Sequence, residues 1–278
     1  MEWTGYSGKG VGVAILDTGI FPHQDFGNRI WGFADFIENR KIPYDDNGHG
    51  THVTGILAGD GSASMGKHRG MAPGCGIVGL KVLDRYGNGS KENVLKAFSW
   101  LLRHSAEYKI RVVNISVGTT YRTRREHDAL IAGVETLWDS GLVVVAAAGN
   151  QGPYPGSVTA PGCSRKIITV GSSDMLRGPA ALSGRGPTAQ CVCKPDLVAP
   201  GRQVVSCLPE GKRAYGMKSG TSMSTPLVSG AIACMLEKDP LLTNVEIKMM
   251  LRESAEDLGL PHNQQGWGKF DAQRFFEM

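Results

Sequence analysis

Leu142-Val-Val-Val-Ala-Ala-Ala148, followed at once by Gly149-Asn150, is an apolar run with no polar residue inside it. Strict alternation would mark a strand with one wet face. A short unbroken run marks a strand buried on both faces, as in a parallel sheet covered by helices. Four more runs are nearly continuous in hydrophobicity: Val11–Leu16, Ile77–Leu83, Val112–Val117 and Ile167–Gly171. Stretches with helical spacing lie between them. Ser90 caps one that runs to about Tyr108, and another covers about Thr123–Asp139 with Gly141 as its stop. Thr243-Asn-Val-Glu246 is a capping-box pattern opening a helix that ends near Gly259. Strands alternating with helices predict an α/β fold, a doubly wound and mainly parallel sheet flanked by helices. The 278 residues contain no repeat, low-complexity segment or linker, so a single domain over 1–278 is expected.

Composition narrows the function. Hydrophobic residues make up 41% and charged residues 20%, with a formal net charge of +4, the profile of an ordinary soluble protein. Arg122, Arg124 and Arg125 cluster where a helix begins, and they read as a solvated helix face rather than a nucleic-acid contact. No apolar run reaches membrane-spanning length, so neither nucleic acid nor membrane is expected as a partner. Nothing in the pattern speaks to oligomeric state. The six cysteines, Cys75, Cys163, Cys191, Cys193, Cys207 and Cys234, include no CxxC pair, which gives a zinc site little support. Cys191 and Cys193 stand too close for an easy mutual disulfide, and so long a chain is no disulfide scaffold. Met1–Gly12 is polar and glycine-rich, without the apolar core of a signal peptide. Free thiols and a cytoplasmic location are therefore expected, with export of a longer precursor as the alternative.

A doubly wound sheet places its site at the carboxyl ends of its strands. Asp17 directly follows the first run, Ser116 and Gly118 end the Val112 run, and Asn150 follows Leu142–Ala148. Gly8, Gly10 and Gly12 imitate a dinucleotide loop but precede their strand instead of following it. Three segments carry reactive groups: Ala14-Ile-Leu-Asp17-Thr-Gly19, Asn47-Gly-His49-Gly-Thr-His52-Val and Ser219-Gly-Thr-Ser222-Met-Ser-Thr-Pro226. Alone, Asp17 and Asn150 read as turn residues, His49 as a helix-end histidine and Ser222 as a helix cap. Together they supply what a serine nucleophile needs: a hydroxyl, a base to take its proton and a carboxylate to orient the base.

These segments, with Ala147-Ala-Gly-Asn150 and Lys194-Pro-Asp-Leu-Val-Ala-Pro-Gly201, resemble the signatures of the subtilisin-like serine peptidases from about Gly10 to about Leu258. The order Asp, His, Ser is the subtilisin order. The resemblance implies a catalytic triad of Asp17, His49 and Ser222. It also implies an oxyanion hole made by the Asn150 amide and the Ser222 N–H, and protein or peptide substrates. Substrate would lie as a strand between Gly87-Asn88-Gly89 and Ser116-Val117-Gly118. The pocket for the residue before the cut would be lined by Ser116–Gly118, Ala147, Ala148, Gly149 and Thr159. It holds no acidic residue, so an apolar or mid-sized residue is expected there. Gly48 and Gly50 keep the backbone narrow around His49. Pro226 is expected in the tolerant first turn of a helix Met223–Glu237.

No cofactor is required by this chemistry. Many relatives hold calcium beside an aspartate that Asp25 matches. Here the loop Gly59–Arg69 offers one carboxylate, Asp60, and then Lys67, His68 and Arg69. Asp25 reads as a surface turn carboxylate, and weak calcium binding elsewhere stays open. His49 and His52 lack the glutamate of an HExxH zinc motif, so no metal ligand is assigned and His52 reads as a packed helix residue. Two other functions compete. One is a catalytically inactive scaffold, from which a site residue would usually be lost. The other is an α/β-hydrolase esterase, which needs GxSxG where Ser224 replaces the second glycine.

Overall fold

The computed structural model describes residues 5–118 and 124–278; Arg122 and the expected helix start at Thr123 lie outside the described residues. Seven strands form one sheet: β1 (Gly12–Asp17), β2 (Ile30–Asp35), β3 (Gly76–Lys81), β4 (Ile110–Ile115), β5 (Val143–Ala147), β6 (Ile168–Ser172) and β7 (Leu197–Ala199). Their order is β2-β3-β1-β4-β5-β6-β7, and every neighbouring pair is parallel. The five apolar runs all became strands, within two residues of their expected ends. All but one of the residues in β1, β3, β4, β5 and β6 are buried, as an unbroken apolar run requires.

The sheet is flanked by α1 (His49–Ala58), α2 (Lys91–His104), α3 (Arg124–Asp139), α4 (Thr221–Lys238) and α5 (Asn244–Ser254), with short α6 (His262–Gln265) and α7 (Ala272–Glu277) near the end. Ser90 caps α2 through the Asn93 N–H, and Thr243 and Glu246 close the expected capping box on α5. Two helices stop early. The chain leaves α2 at Ser105, and α5 ends where Ala255 turns extended and Glu256 pairs with the Lys269 backbone. α4 is buried on nearly every side and packs on α1 and on β4, β5, β6 and β7, the signature of a central helix.

A separate antiparallel hairpin, β8 (Val204–Cys207) and β9 (Tyr215–Lys218), packs against α1. The chain winds from β1 to β2 and β3 on one side, then crosses to β4 on the other. This reversal sets the carboxyl ends of β1 and β4 side by side, with Leu16 opposite Ile115. A crevice opens at such a point.

Candidate active site

Asp17 is the last residue of β1 and is 1% exposed; His49 is the first residue of α1. His49 Nδ1 lies 2.7 Å from Asp17 Oδ1, which also accepts the Thr18 N–H at 2.7 Å. A carboxylate only accepts, so the imidazole proton sits on Nδ1 and Nε2 is left as a lone pair. Asp17 Oδ2 is buried and has no hydrogen-bond partner among the described residues, so its charge is not spread over other donors. Burial pushes the His49 pKa down. The charge of Asp17 and its hydrogen bond push it up further, and the net effect lies above the ordinary 6.5.

The backbone around His49 is held from one buried side chain that the sequence motifs do not mark. Asp45 Oδ1 accepts from Thr18 Oγ1 (2.9 Å), Asn47 N (3.1 Å) and Gly48 N (2.8 Å). Its Oδ2 accepts from Thr51 N (2.8 Å) and Thr51 Oγ1 (2.6 Å). The N-cap of α1 is Gly48, in the left-handed region at φ 91° and without a side-chain cap. Asp45 thus satisfies the helix N-terminus from outside it, and its charge suits that end of the dipole. Gly50 is narrow by necessity: a Cβ there would stand 2.2 Å from the Gly19 carbonyl oxygen.

Ser222 is the second residue of α4, half-buried, after the N-cap Gly220. Its Oγ donates to the Ser116 carbonyl at 2.8 Å, and no hydrogen bond joins it to His49 among the described residues. Pro226 corrects an expectation: it lies in the second turn, not the first. It therefore deprives the Ser222 carbonyl of its helical donor. Ser116 Oγ supplies the missing donor at 3.2 Å. Ser116 Oγ in turn accepts from Asn114 Nδ2, and Asn114 Oδ1 accepts from Ser229 Oγ, each at 2.9 Å. Asn150 is exposed, with its Oδ1 bound by Thr221 N (2.9 Å) and Thr221 Oγ1 (3.2 Å). That fixes which end of the amide is which and leaves Nδ2 to donate outward.

A cleft of about 560 Å³ runs from His49 between two walls, Gly87–Gly89 on one side and Ser116–Gly118 on the other. Asp84 shapes the first wall: its Oδ1 accepts from Tyr86 N and Asn88 N, and its own N–H donates to the Asn88 carbonyl. Both polar groups of the Asn88 backbone are thereby used, and the Gly87 N–H donates to the Asp84 carbonyl at 3.0 Å, so the Gly87 carbonyl and Gly89 remain to face a ligand. Thr159 joins the pocket residues. A Cβ on Gly118 or on Gly149 would stand 2.5 Å from Thr159 Oγ1, so this side chain packs on both glycines. Ala147 and Ala148 are buried at 2% and 0% exposure and form the backing of the pocket rather than its surface.

The family comparison meets this geometry: the Subtilase family (Peptidase_S8) matches residues 8–268. The chain belongs to the subtilase family. Serine protease AprX of Bacillus subtilis (strain 168) is 38% identical over 274 residues, covering 90% of this chain but 62% of AprX. Subtilisin Savinase of Lederbergia lenta is 35% identical over 255 residues, covering 92% of this chain and 87% of Savinase. A crystal structure of a cold adapted subtilisin-like serine proteinase matches with TM-score 0.77 and 29% identity, over 96% of this chain and 89% of that one.

In this subtilase Asp25 is no surface carboxylate; it is fully buried. Its Oδ1 accepts from Ala63 N at 2.8 Å and its Oδ2 from the Tyr215 hydroxyl at 2.7 Å, while Arg29 donates to its carbonyl. The loop from Gly59 folds onto it as donors, and Asp60 Oδ1 is taken by Ser62 N. Calcium asks for about six to eight oxygen ligands, several of them anionic. One carboxylate, whose oxygens already accept N–H and O–H groups and which has a histidine nitrogen and a thiol beside it, is not such an oxygen cage. His52 of this subtilase is buried, and its Nε2 meets the Val204 and Gly216 carbonyls at 3.1 Å each, clamping α1 to both strands of the hairpin.

Proposed function

We propose that the chain is a serine endopeptidase working through an acyl-enzyme, with Asp17, His49 and Ser222 as its triad and Asn150 in its oxyanion hole. The observation that carries this reading is the 2.7 Å Asp17–His49 hydrogen bond at one end of a cleft whose wall residue Ser116 holds the Ser222 hydroxyl. His49 Nε2 takes the Ser222 proton as Oγ attacks the scissile carbonyl carbon. The carbonyl electron pair moves onto oxygen, where the Asn150 Nδ2–H and Ser222 N–H stabilise it. The intermediate collapses, the C–N bond breaks, and His49 returns the proton to the leaving amine. Water then repeats the sequence against the acyl-enzyme and frees Ser222.

A substrate strand added along Ser116–Gly118 would bring a peptide N–H to the Ser116 carbonyl. That carbonyl now accepts the Ser222 hydroxyl, so strand addition would free the hydroxyl to turn to His49. Gly87 and Gly89 would meet the other edge of the peptide. A pocket of backbone and Thr159 favours an apolar or mid-sized residue before the cut. No cofactor is needed for these steps. Proteins or peptides are the proposed substrates, and a reducing, cytoplasmic location accords with cysteines that form no disulfide among the described residues.

The test is labelling with a fluorophosphonate probe, followed by mapping of the modified peptide. One label per chain on Ser222, with hydrolysis of casein in preference to a short-chain ester, is the expected result. An unlabelled, folded chain would favour the inactive scaffold. Preference for the ester would favour an esterase.

A further inference from the structure

We propose that His23, Asp25 and Cys207 form a binding site for a thiophilic divalent cation of the zinc class, which pins the β8–β9 hairpin to the loop after β1. The proposal starts from the same buried carboxylate that fails to fit calcium. One ligand atom from each of the three residues can be chosen so that all lie within 4.8 Å of one another. His23 Nδ1 is 3.9 Å from Asp25 Oδ1, and Cys207 Sγ is 3.6 Å from Asp25 Oδ2. Ligands held at about 2.0–2.3 Å around tetrahedral zinc stand about 3.3–3.8 Å apart, so small rotamer adjustments suffice. All three residues are buried, at 2%, 0% and 0% exposure. The proposed peptidase steps use none of them.

The donor set chooses the metal. Nitrogen, carboxylate oxygen and sulfur together suit zinc, whereas calcium and magnesium want oxygen alone. The orientation of His23 matches that of a metal-bound histidine. Its Nε2 lies 3.1 Å from the Ala214 carbonyl, which holds the proton on Nε2 and leaves Nδ1 as the lone pair facing the cluster. Without metal, Nδ1 accepts the Asp25 N–H at 3.2 Å and the Cys207 thiol donates to Asp25 Oδ2. Binding gives up both bonds, and the thiol proton leaves to solvent. Thiolate and carboxylate then balance the ion's charge. The Tyr215 hydroxyl donates to Asp25 Oδ2 at 2.7 Å and orients the carboxylate from outside the ligand set. Sequence spacing could not show this site, because Cys207 lies 182 residues from Asp25 and no CxxC or HExxH spacing is involved.

Binding would stiffen the frame of the candidate active site. The neighbour of Cys207, Ser206, donates to the His52 carbonyl at 2.8 Å and so joins β8 to α1. A ligand for the folded state raises its melting temperature by mass action.

The full chain carrying Ser222→Ala, which prevents self-digestion, is refolded without metal and titrated with cobalt(II) as a spectroscopic probe. One cobalt per chain is expected, with a thiolate-to-cobalt charge-transfer band that one equivalent of zinc removes. Zinc should raise the melting temperature where calcium does not. Cys207→Ser should abolish the band, while Cys191→Ser with Cys193→Ser, which removes the exposed thiols, should leave it. His23→Gln, an independent variant, should weaken zinc binding by about tenfold or more. No stoichiometric band, or a band that survives Cys207→Ser, would overturn the site. Because none of these readouts uses activity, their failure leaves the peptidase reading untouched.

Discussion

Asp17 gives one carboxylate oxygen to His49 and keeps the other buried without a partner among the described residues, and under the proposed reading this asymmetry would set the pH behaviour of the site. Burial disfavours the imidazolium, yet the Asp17 charge and hydrogen bond overcome it and hold the His49 pKa above 6.5. The free base therefore accumulates only at higher pH. The kcat/KM profile should rise through a midpoint above 6.5, and in Asp17→Asn the residual activity should rise at lower pH. Asp17→Asn should also cost roughly 10⁴ in kcat. An unchanged midpoint in that variant would count against the pairing. A raised histidine pKa stabilises the fold below about 6.5, and that stability fades as pH climbs through the folded value, so the reactive form is the less stable one. Asn150 should act on the oxyanion alone: Asn150→Ala is expected to lower kcat by roughly 10²–10³ with little change in KM. A loss confined to KM would reassign it to binding. Asp17, His49 and Asn150 could be singled out because each sits in a short motif after or beside an apolar run. Asp45 could not, because its partners are mostly backbone N–H groups and hydroxyls that only the folded turn gathers around it.

At the scale of elements, α1 is held at two places: Asp45 satisfies its N-terminus and His52, its fourth residue, ties it to the β8–β9 hairpin. Burial lowers the His52 pKa to about 4, and both Nε2 partners are carbonyls. The folded protein thus keeps His52 neutral while the unfolded chain takes up a proton below 6.5. Stability is full above that value and is lost as pH falls toward about 4. The difference amounts to about 3 kcal/mol. Denaturant unfolding at pH 7 and pH 4.5 should show that loss in the wild type and a smaller one in His52→Gln. An equal loss in both would remove His52 from the account. Buried strands announced themselves as apolar runs, and Ser90 and Thr243 marked their helices. β2 did not, because Ile30-Trp-Gly-Phe-Ala-Asp35 is a sheet edge and mostly half-buried. The hairpin strands are short and polar on one side. The place of Pro226 could not be read either, since its compensating donor, Ser116, comes from β4's end.

Across the whole molecule, the reversal of winding at β1 brings four distant stretches to one crevice, and under the proposed reading their packing would set specificity. Thr159 packs on Gly118 and Gly149, so Thr159→Gly should deepen the pocket and favour larger residues before the cut. A change of roughly tenfold or more in relative kcat/KM is the scale expected for such a volume. A peptide library dominated by Lys or Arg before the cut would contradict an uncharged pocket. Calcium added to the metal-free chain should leave its melting temperature unchanged, since Asp25 has nitrogen and sulfur beside it rather than a set of oxygen ligands. A rise abolished by Asp25→Asn would show otherwise. The role of Ser222 as nucleophile is best measured by kcat for a peptide substrate in Ser222→Ala, with unchanged circular dichroism as the control for folding. A fall of roughly 10⁶ is expected; activity within about tenfold of wild type in a folded variant would rule that role out.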